Sequence, residues 1–384
     1  MLVFVRTSGV LGIALLAISG LSTAAVATRA PQKGHLGKVL TSKDGGQIFG
    51  FDINQAGDDG VLATASSVEV FDQNNGKITK SLGHFTNSDS DYVAYGIAAG
   101  DVGLIDHEVV PDGQTFPKRH YRLLDPVMGG KFTGDWTPPL HGIIMQQMSE
   151  DQSSPVTSLF ALTRLRQQED PILLVADIAA NTFSNLVRLD PNLFGLCTGP
   201  TLAQYSAANE AVFALSPDCG AVGGEAPLNV LIDLSSGAVT KFNGYNNGFF
   251  HAGYVNGMAT DPNTGVAATD TELNSQVEFY NLKKKAGIAF AQLPCTNDTD
   301  QTNSGSGIAV DPVNKLFLVT DGFYCDGSQG GAVVVYDEEG NQVEAITGFK
   351  FFIGEPAPVI NPGKRMGWVF GGPNGWTQLQ QFFY

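Results

Sequence analysis

Basic side chains are scarce in this sequence. Its 384 residues carry 22 Lys and Arg against 38 Asp and Glu, a net charge of −16, and charged residues amount to only 16%. Such a surface repels phosphate backbones, which argues against nucleic acid as a partner. The acids are scattered rather than gathered in a tail, so they describe an acidic shell or, where particular ones converge, a cation site. Cysteine is limited to four residues, and no CxxC or HxxxH spacing supports zinc. The GxSxG elbow, the Walker loop, the HExxH helix and a GxGxxG turn ahead of a helix are all missing, which disfavours the enzyme classes they serve. Long helical patterns are not evident either.

The one extended apolar stretch lies at the N-terminus. Arg6 supplies a positive charge, Val10 to Leu21 is mostly apolar, and Ala25-Val26-Ala27 offers a small-x-small cleavage site, so residues 1–27 are expected to be a secretory signal. Gly12, Ser19 and Gly20 interrupt that stretch, and it falls short of the ~20 residues a spanning helix needs. Removing it takes one basic residue, Arg6, leaving 22 − 1 = 21 against 38 acids, a net of −17. Residues 28–384 are therefore expected to form a secreted, extracellular, monomeric domain without membrane insertion.

Glycine, by contrast, is abundant. Its 46 residues exceed the usual ~7% and suit many short strands joined by tight turns. A cadence of strand, polar turn and strand returns as VEVFDQNNGKITKSL (Val68 to Leu82), NVLIDLSSGAVTKF (Asn229 to Phe242), QVEFYNLKKKAGIAFAQL (Gln276 to Leu293) and AVVVYDEEGNQVEAI (Ala332 to Ile346). A repeat at that period means stacking of one supersecondary unit. Units run from Gly46 to Gly83, Tyr92 to Trp136, His141 to Asp190, Thr201 to Gly244, Tyr254 to Leu293, Gly305 to Phe349 and Glu355 to Tyr384. In each, an inner strand such as NGMATDP or SGIAVDP turns through Asp-Pro into a second strand, and a hairpin completes four. The last unit offers only three strands. His35 to Lys43 matches the fourth strand of other units and is expected to complete that sheet, removing two exposed edges. The fold expected is all-β: a single β-propeller of seven four-stranded blades, its last blade closed by an N-terminal strand. The second and third units match least well; residues 106–120 and 149–155 read as insertion and loop.

The repeat also serves as a coordinate system. Four cysteines in a secreted chain are expected to pair; of three pairings, Cys197 with Cys219 and Cys295 with Cys325 is favoured, because each pair joins an entering loop to the loop after the second strand of one blade. Both loop types converge over the central channel. Just before the inner strands stand Tyr95, His141, Asn256 and Ser306, with Glu355 near that position in the last unit; at second-strand ends stand Asp106, Asp270 and Asp321, with Glu225 nearby. A ring of carboxylates and amides suits a hard cation such as calcium, and His141 or Asp321 suits a general base. His251, beside Phe249 and Phe250, reads as packing, and Asp106-His107 as strand neighbours on opposite faces. Asn297-Asp298-Thr299 is a glycosylation sequon.

The phrases NGMATDPNTGVAATD and SGIAVDPVNKLFLVTDG resemble the blades of the superfamily that holds the gluconolactonase and regucalcin-like propellers, strictosidine synthase-like proteins, and NHL and YVTN repeat proteins. For Glu355, Asn256 and Asp321 the resemblance implies a part in holding calcium over the channel, with Asp270 beside them. The function expected is a hydrolase, lactonase or isomerase acting on a small organic metabolite at the funnel. The alternative is a non-catalytic binding propeller presenting its loop face to a protein, glycan or surface, with Phe249, Phe250, Phe323 and Tyr324 as contacts.

Overall fold

Strands buried on both faces need apolar side chains at successive positions rather than at alternate ones, and that is how most second and third strands of this chain read. In the computed structural model, residues 33–54, 57–64, 67–81, 96–99, 102–109, 118–125, 131–136, 149–150, 158–163, 172–177, 182–190, 202–215, 229–242, 257–271, 276–293, 305–321, 331–349, 357–371 and 377–384 are described.

Strand β1 (His35–Thr41) comes first. A first sheet follows from β2 (Ile48–Ile53), β3 (Asp59–Thr64), β4 (Val68–Asp72) and β5 (Lys77–Ser81), and a second from β6 (Gly96–Ala99), β7 (Val102–Val109), β8 (Lys118–Asp125) and β9 (Lys131–Trp136). The third holds β10 (Ser149–Glu150), β11 (Ser158–Thr163), β12 (Ile172–Asp177) and β13 (Thr182–Arg188); the fourth β14 (Leu202–Ser206), β15 (Ala211–Leu215), β16 (Asn229–Asp233) and β17 (Val239–Phe242). The fifth is β18 (Met258–Thr260), β19 (Val266–Thr271), β20 (Gln276–Asn281) and β21 (Ala286–Gln292), and the sixth β22 (Gly305–Asp311), β23 (Leu316–Asp321), β24 (Ala332–Asp337) and β25 (Gln342–Ile346). The chain ends with β26 (Val359–Asn361), β27 (Met366–Phe370) and β28 (Gln378–Phe383). Among the described residues, six sheets are simple antiparallel meanders and a seventh has the order β1-β28-β27-β26, so the N-terminal strand completes the C-terminal sheet. Each sheet has four strands.

First strands of successive sheets lie side by side: β10 with β14, β14 with β18, β18 with β22, β22 with β26, β26 with β2, and β2 with β6. That order sets the last sheet beside the first, giving an all-β, propeller-like arrangement. The core lies between the sheets. From β15, Val212 and Ala214 pack toward the third sheet while Phe213 and Leu215 pack toward the fifth. From β23, Phe317 and Val319 join the fifth sheet and Leu316 and Leu318 the seventh. Leu40 from β1 joins Trp368 and Phe370 against Ile48, Phe51 and Phe71 of the first sheet, with Phe71 and Trp368 edge-to-face at 5.5 Å. A one-residue register slip would exchange these faces, so the pairing is strongly specified.

Asp-Pro turns join first to second strands as expected. Asp261 Oδ1 accepts the backbone N–H groups of Asn263 (2.7 Å) and Thr264 (3.0 Å), and Asp311 Oδ1 those of Val313 and Asn314, both at 2.9 Å. Both turns close on a residue in the left-handed region, Gly265 in the fifth sheet and Lys315 in the sixth, and the Asn361-Pro362 turn of the seventh does so on Arg365.

Two expectations need correction. The first strand of the third sheet is Ser149–Glu150, inside the stretch expected to be a loop. Residues 106–109 and 118–120, expected within an insertion, extend β7 and β8, so both ends of that polar segment are paired strand.

Candidate functional site

In each meander the start of the first strand and the end of the second lie at one end of the sheet, which is where the sequence places its candidates. Asp270, in β19, is fully buried. Its Oδ1 accepts the N–H of Gly257 at 2.6 Å while its own N–H donates to Gly257 O at 3.2 Å. The carboxylate thus clamps the entry to β18. A carboxylate has about four acceptor sites, so this clamp and a ligand contact are chemically compatible.

Asp321 ends β23, opposite Gly305, and is 2% exposed. Beside it, Thr320 Oγ1 donates to Gly307 O at 3.2 Å. The glycines at these entries have a steric reason. A Cβ on Gly257 would sit 2.9 Å from Gly307 Cα and 3.0 Å from Asp270 Oδ1, and one on Gly307 only 2.2 Å from Ala357 Cα. Entries to the fifth, sixth and seventh sheets therefore press backbone against backbone, and two acidic strand ends belong to the first two of them.

Asn256 directly precedes Gly257, and Glu355 precedes Ala357 by two positions. Asn256, Glu355, Tyr95, His141, Glu225 and His251 lie outside the described residues, as do Phe249, Phe250, Phe323, Tyr324, Cys197, Cys219, Cys295, Cys325, Asn297 and the expected signal. His141 stands eight positions ahead of Ser149, where the described part of the third sheet begins. Ser306 lies in β22 next to Gly307. Asp106 pairs with Tyr121 within β7, which continues to Val109; it is not at a strand end, because β7 is longer than its counterparts. Among the described residues, no three His, Cys, Asp or Glu side chains are grouped closely enough to hold a metal ion. No helix among them is long and apolar enough to cross a membrane.

The first sheet holds acids at the same end that the sequence reading missed. Both oxygens of Glu69 accept the N–H of Lys43, at 3.1 and 2.9 Å, and Asp44 Oδ2 accepts Thr64 Oγ1 at 2.7 Å and Ser67 Oγ at 3.3 Å. Burial pushes the Glu69 carboxyl above its usual range, the Lys43 N–H pulls against that, and the Asp44 charge adds to the rise. A second missed group lies between the fourth and fifth sheets. Tyr280 OH donates to Glu278 Oε2 at 2.7 Å and lies 3.3 Å from Thr269 Oγ1. Burial, reinforced by Glu278, raises the phenol well above its ordinary value. A Glu and a Tyr two apart in an apolar third strand, VEFY, was the signal available for it.

No family model matches the chain, and no curated protein matches it either.

Proposed function

We propose that this chain is a secreted propeller that binds a small organic metabolite at the end of the ring where Asp270 and Asp321 lie, and acts on it as a hydrolase, lactonase or isomerase. One observation carries the reading: two carboxylates, each at least 98% buried, stand at second-strand ends of neighbouring sheets, beside glycine entries that bring those sheets into backbone contact. Buried carboxylates require hydrogen bonds or positive charge around them, and an oxygen-only donor set fits a hard cation such as calcium.

Two carboxylates do not complete such a set. Asn256 and Glu355, adjacent in sequence to the clamped entries, are the residues assigned to complete it. A cation held there supplies polarisation of a ligand carbonyl or hydroxyl. Asp270 also fixes the strand entry, Asp321 contributes charge, and His141 is assigned as proton acceptor. The likeness of the fifth and sixth units to the gluconolactonase and regucalcin-like, strictosidine synthase-like, NHL and YVTN propellers supports the assignment. Export, the pairings Cys197 with Cys219 and Cys295 with Cys325, and a glycan on Asn297 belong to the same reading.

Elemental analysis of protein purified without chelator tests it. Near-stoichiometric calcium is expected, and Asp321→Asn removes it while the circular dichroism spectrum keeps its β signature. Metal-free protein that takes up no added calcium refutes the reading.

A further inference from the structure

At the end of the ring opposite the candidate site, neighbouring sheets are tied by a recurring contact. The polar residue that opens the turn after a first strand meets the residue that follows the third strand of the next sheet. Between the seventh and first sheets, Asn361 Nδ2 donates to Gln73 Oε1 at 3.1 Å. Between the sixth and seventh, Tyr384 OH donates to Asp311 Oδ2 at 3.0 Å. Both of these junctions match a donor to an acceptor.

The junction between the fifth and sixth sheets differs from these two. There the two positions hold Asp261, directly after β18, and Glu338, directly after β24. Thr264 spans them, its N–H donating to Asp261 Oδ1 at 3.0 Å and its hydroxyl donating to Glu338 Oε1. Asp261 is fully buried, and its Oδ2 has no hydrogen-bond partner. The corresponding Oδ2 of Asp311 accepts from both Tyr384 OH and Asn314 Nδ2 (2.7 Å). In the fifth sheet Thr264 stands where Asn314 does and Glu338 where Tyr384 does, so both of those donors are lost. An acceptor left buried without a donor is destabilising, because its lost hydration is not replaced.

We propose that Glu338 carries the missing proton and donates it to Asp261, making the junction between the fifth and sixth sheets a latch that closes in acid and loosens as pH rises. The charges facing Glu338 are Asp261, Lys315 in the turn between β22 and β23, and its neighbour Glu339. Burial is the largest influence and raises the carboxyl above its usual range; Asp261 and Glu339 add to the rise, while the Thr264 hydroxyl and Lys315 oppose it. A bridging metal ion is the weaker occupant, since Asp261 Oδ2 is sealed from solvent and no third acid is grouped with the pair among the described residues. Because the folded state binds this proton more tightly than the unfolded chain, the latch's contribution is complete below the unfolded glutamate value, about 4.3, and is lost as pH rises through the folded value.

The test is thermal unfolding of the full chain from about pH 4 to about pH 8, for wild type, E338Q and D261N. Either amide supplies a permanent donor, as Gln73 and Asn361 do at the junction between the seventh and first sheets. Both variants should melt several degrees above wild type near neutrality, with the gap closing in acid. A gap that does not change with pH, or variants less stable throughout, overturns the proposal. So does calcium or magnesium that raises the wild-type melting point at neutral pH and leaves E338Q unmoved, which would make the pair a cation site. Hydrogen exchange of wild type alone gives an independent reading: the opening free energy of the Thr264 and Gly265 amides should fall as pH rises, and an unchanged one contradicts it.

Discussion

Gly307→Ala is a one-carbon test of how the inner strands meet. The added Cβ would stand 2.2 Å from Ala357 Cα, 2.6 Å from Ala357 N and 2.9 Å from Ala357 Cβ. The nearest two atoms are backbone, so no rotamer change relieves the contact; β22 or the entry to β26 must move, and both are fixed by their own ladders. Overpacking by one methylene where side chains can adjust costs about 1–3 kcal/mol, and here the cost should reach about 3 kcal/mol or more. With an unfolding entropy of about 2.1 cal/mol/K per residue over roughly 350 residues, that lowers the melting temperature by about 4 °C. Differential scanning calorimetry of the two proteins measures it. Gly45→Ala is a control of a different kind, since a Cβ there meets nothing within 4 Å and only its positive φ is strained; it should cost about 1 kcal/mol. A Gly307→Ala protein that melts within about 1 °C of wild type would refute the backbone-to-backbone packing.

Tyr384→Phe removes the donor to Asp311 but leaves Asn314 in place, so urea unfolding should show a loss of about 1 kcal/mol. Burial and the Asp311 charge hold the Tyr384 phenol above its usual range; its contribution is present below the unfolded tyrosine value of about 10 and is lost above it, so the variant should lose less stability than wild type in strong alkali. Deleting residues 35–41 strips β28 of its outer partner, leaving β27, and removes Leu40 from the cluster around Trp368, and size-exclusion chromatography should show aggregation through the opened edge. Non-reducing peptide mapping should recover Cys197 linked to Cys219 and Cys295 linked to Cys325; any crossed pair contradicts the assignment of loops to blades.

Much of the architecture was legible because it is written in local chemistry. Asp261-Pro262 and Asp311-Pro312 mark turns whose carboxylates cap the following backbone, and β23 and β24 carry the uninterrupted apolar runs of strands buried on both faces. His35 to Thr41 was legible as a closing strand because it repeats the pattern of β5 and β17. The third sheet was harder to read, since among the described residues its first strand spans only Ser149–Glu150, too short for any period to register. Asp106 misled the repeat alignment for another reason, since strand length is set by pairing with β8 and not by Asp106 itself. The glycines of NGMA and SGIA owe their place to contact with the next sheet, which spacing within one strand does not report. The latches Asn361–Gln73, Asp311–Tyr384 and Asp261–Glu338 join residues distant in sequence and emerge only when each third strand is aligned with the turn of the sheet before it.

The candidate site stands or falls on whether Asp270 and Asp321 hold a cation together with Asn256 and Glu355. Calcium titration by isothermal calorimetry of the full chain, beside Asp321→Asn and Glu355→Gln, tests that most directly. The expected result is one calcium per chain in the wild type, with the heat abolished or the affinity reduced at least about tenfold, or 1.4 kcal/mol, in each folded variant. Undiminished calcium binding in both variants, or none in the wild type, would contradict it.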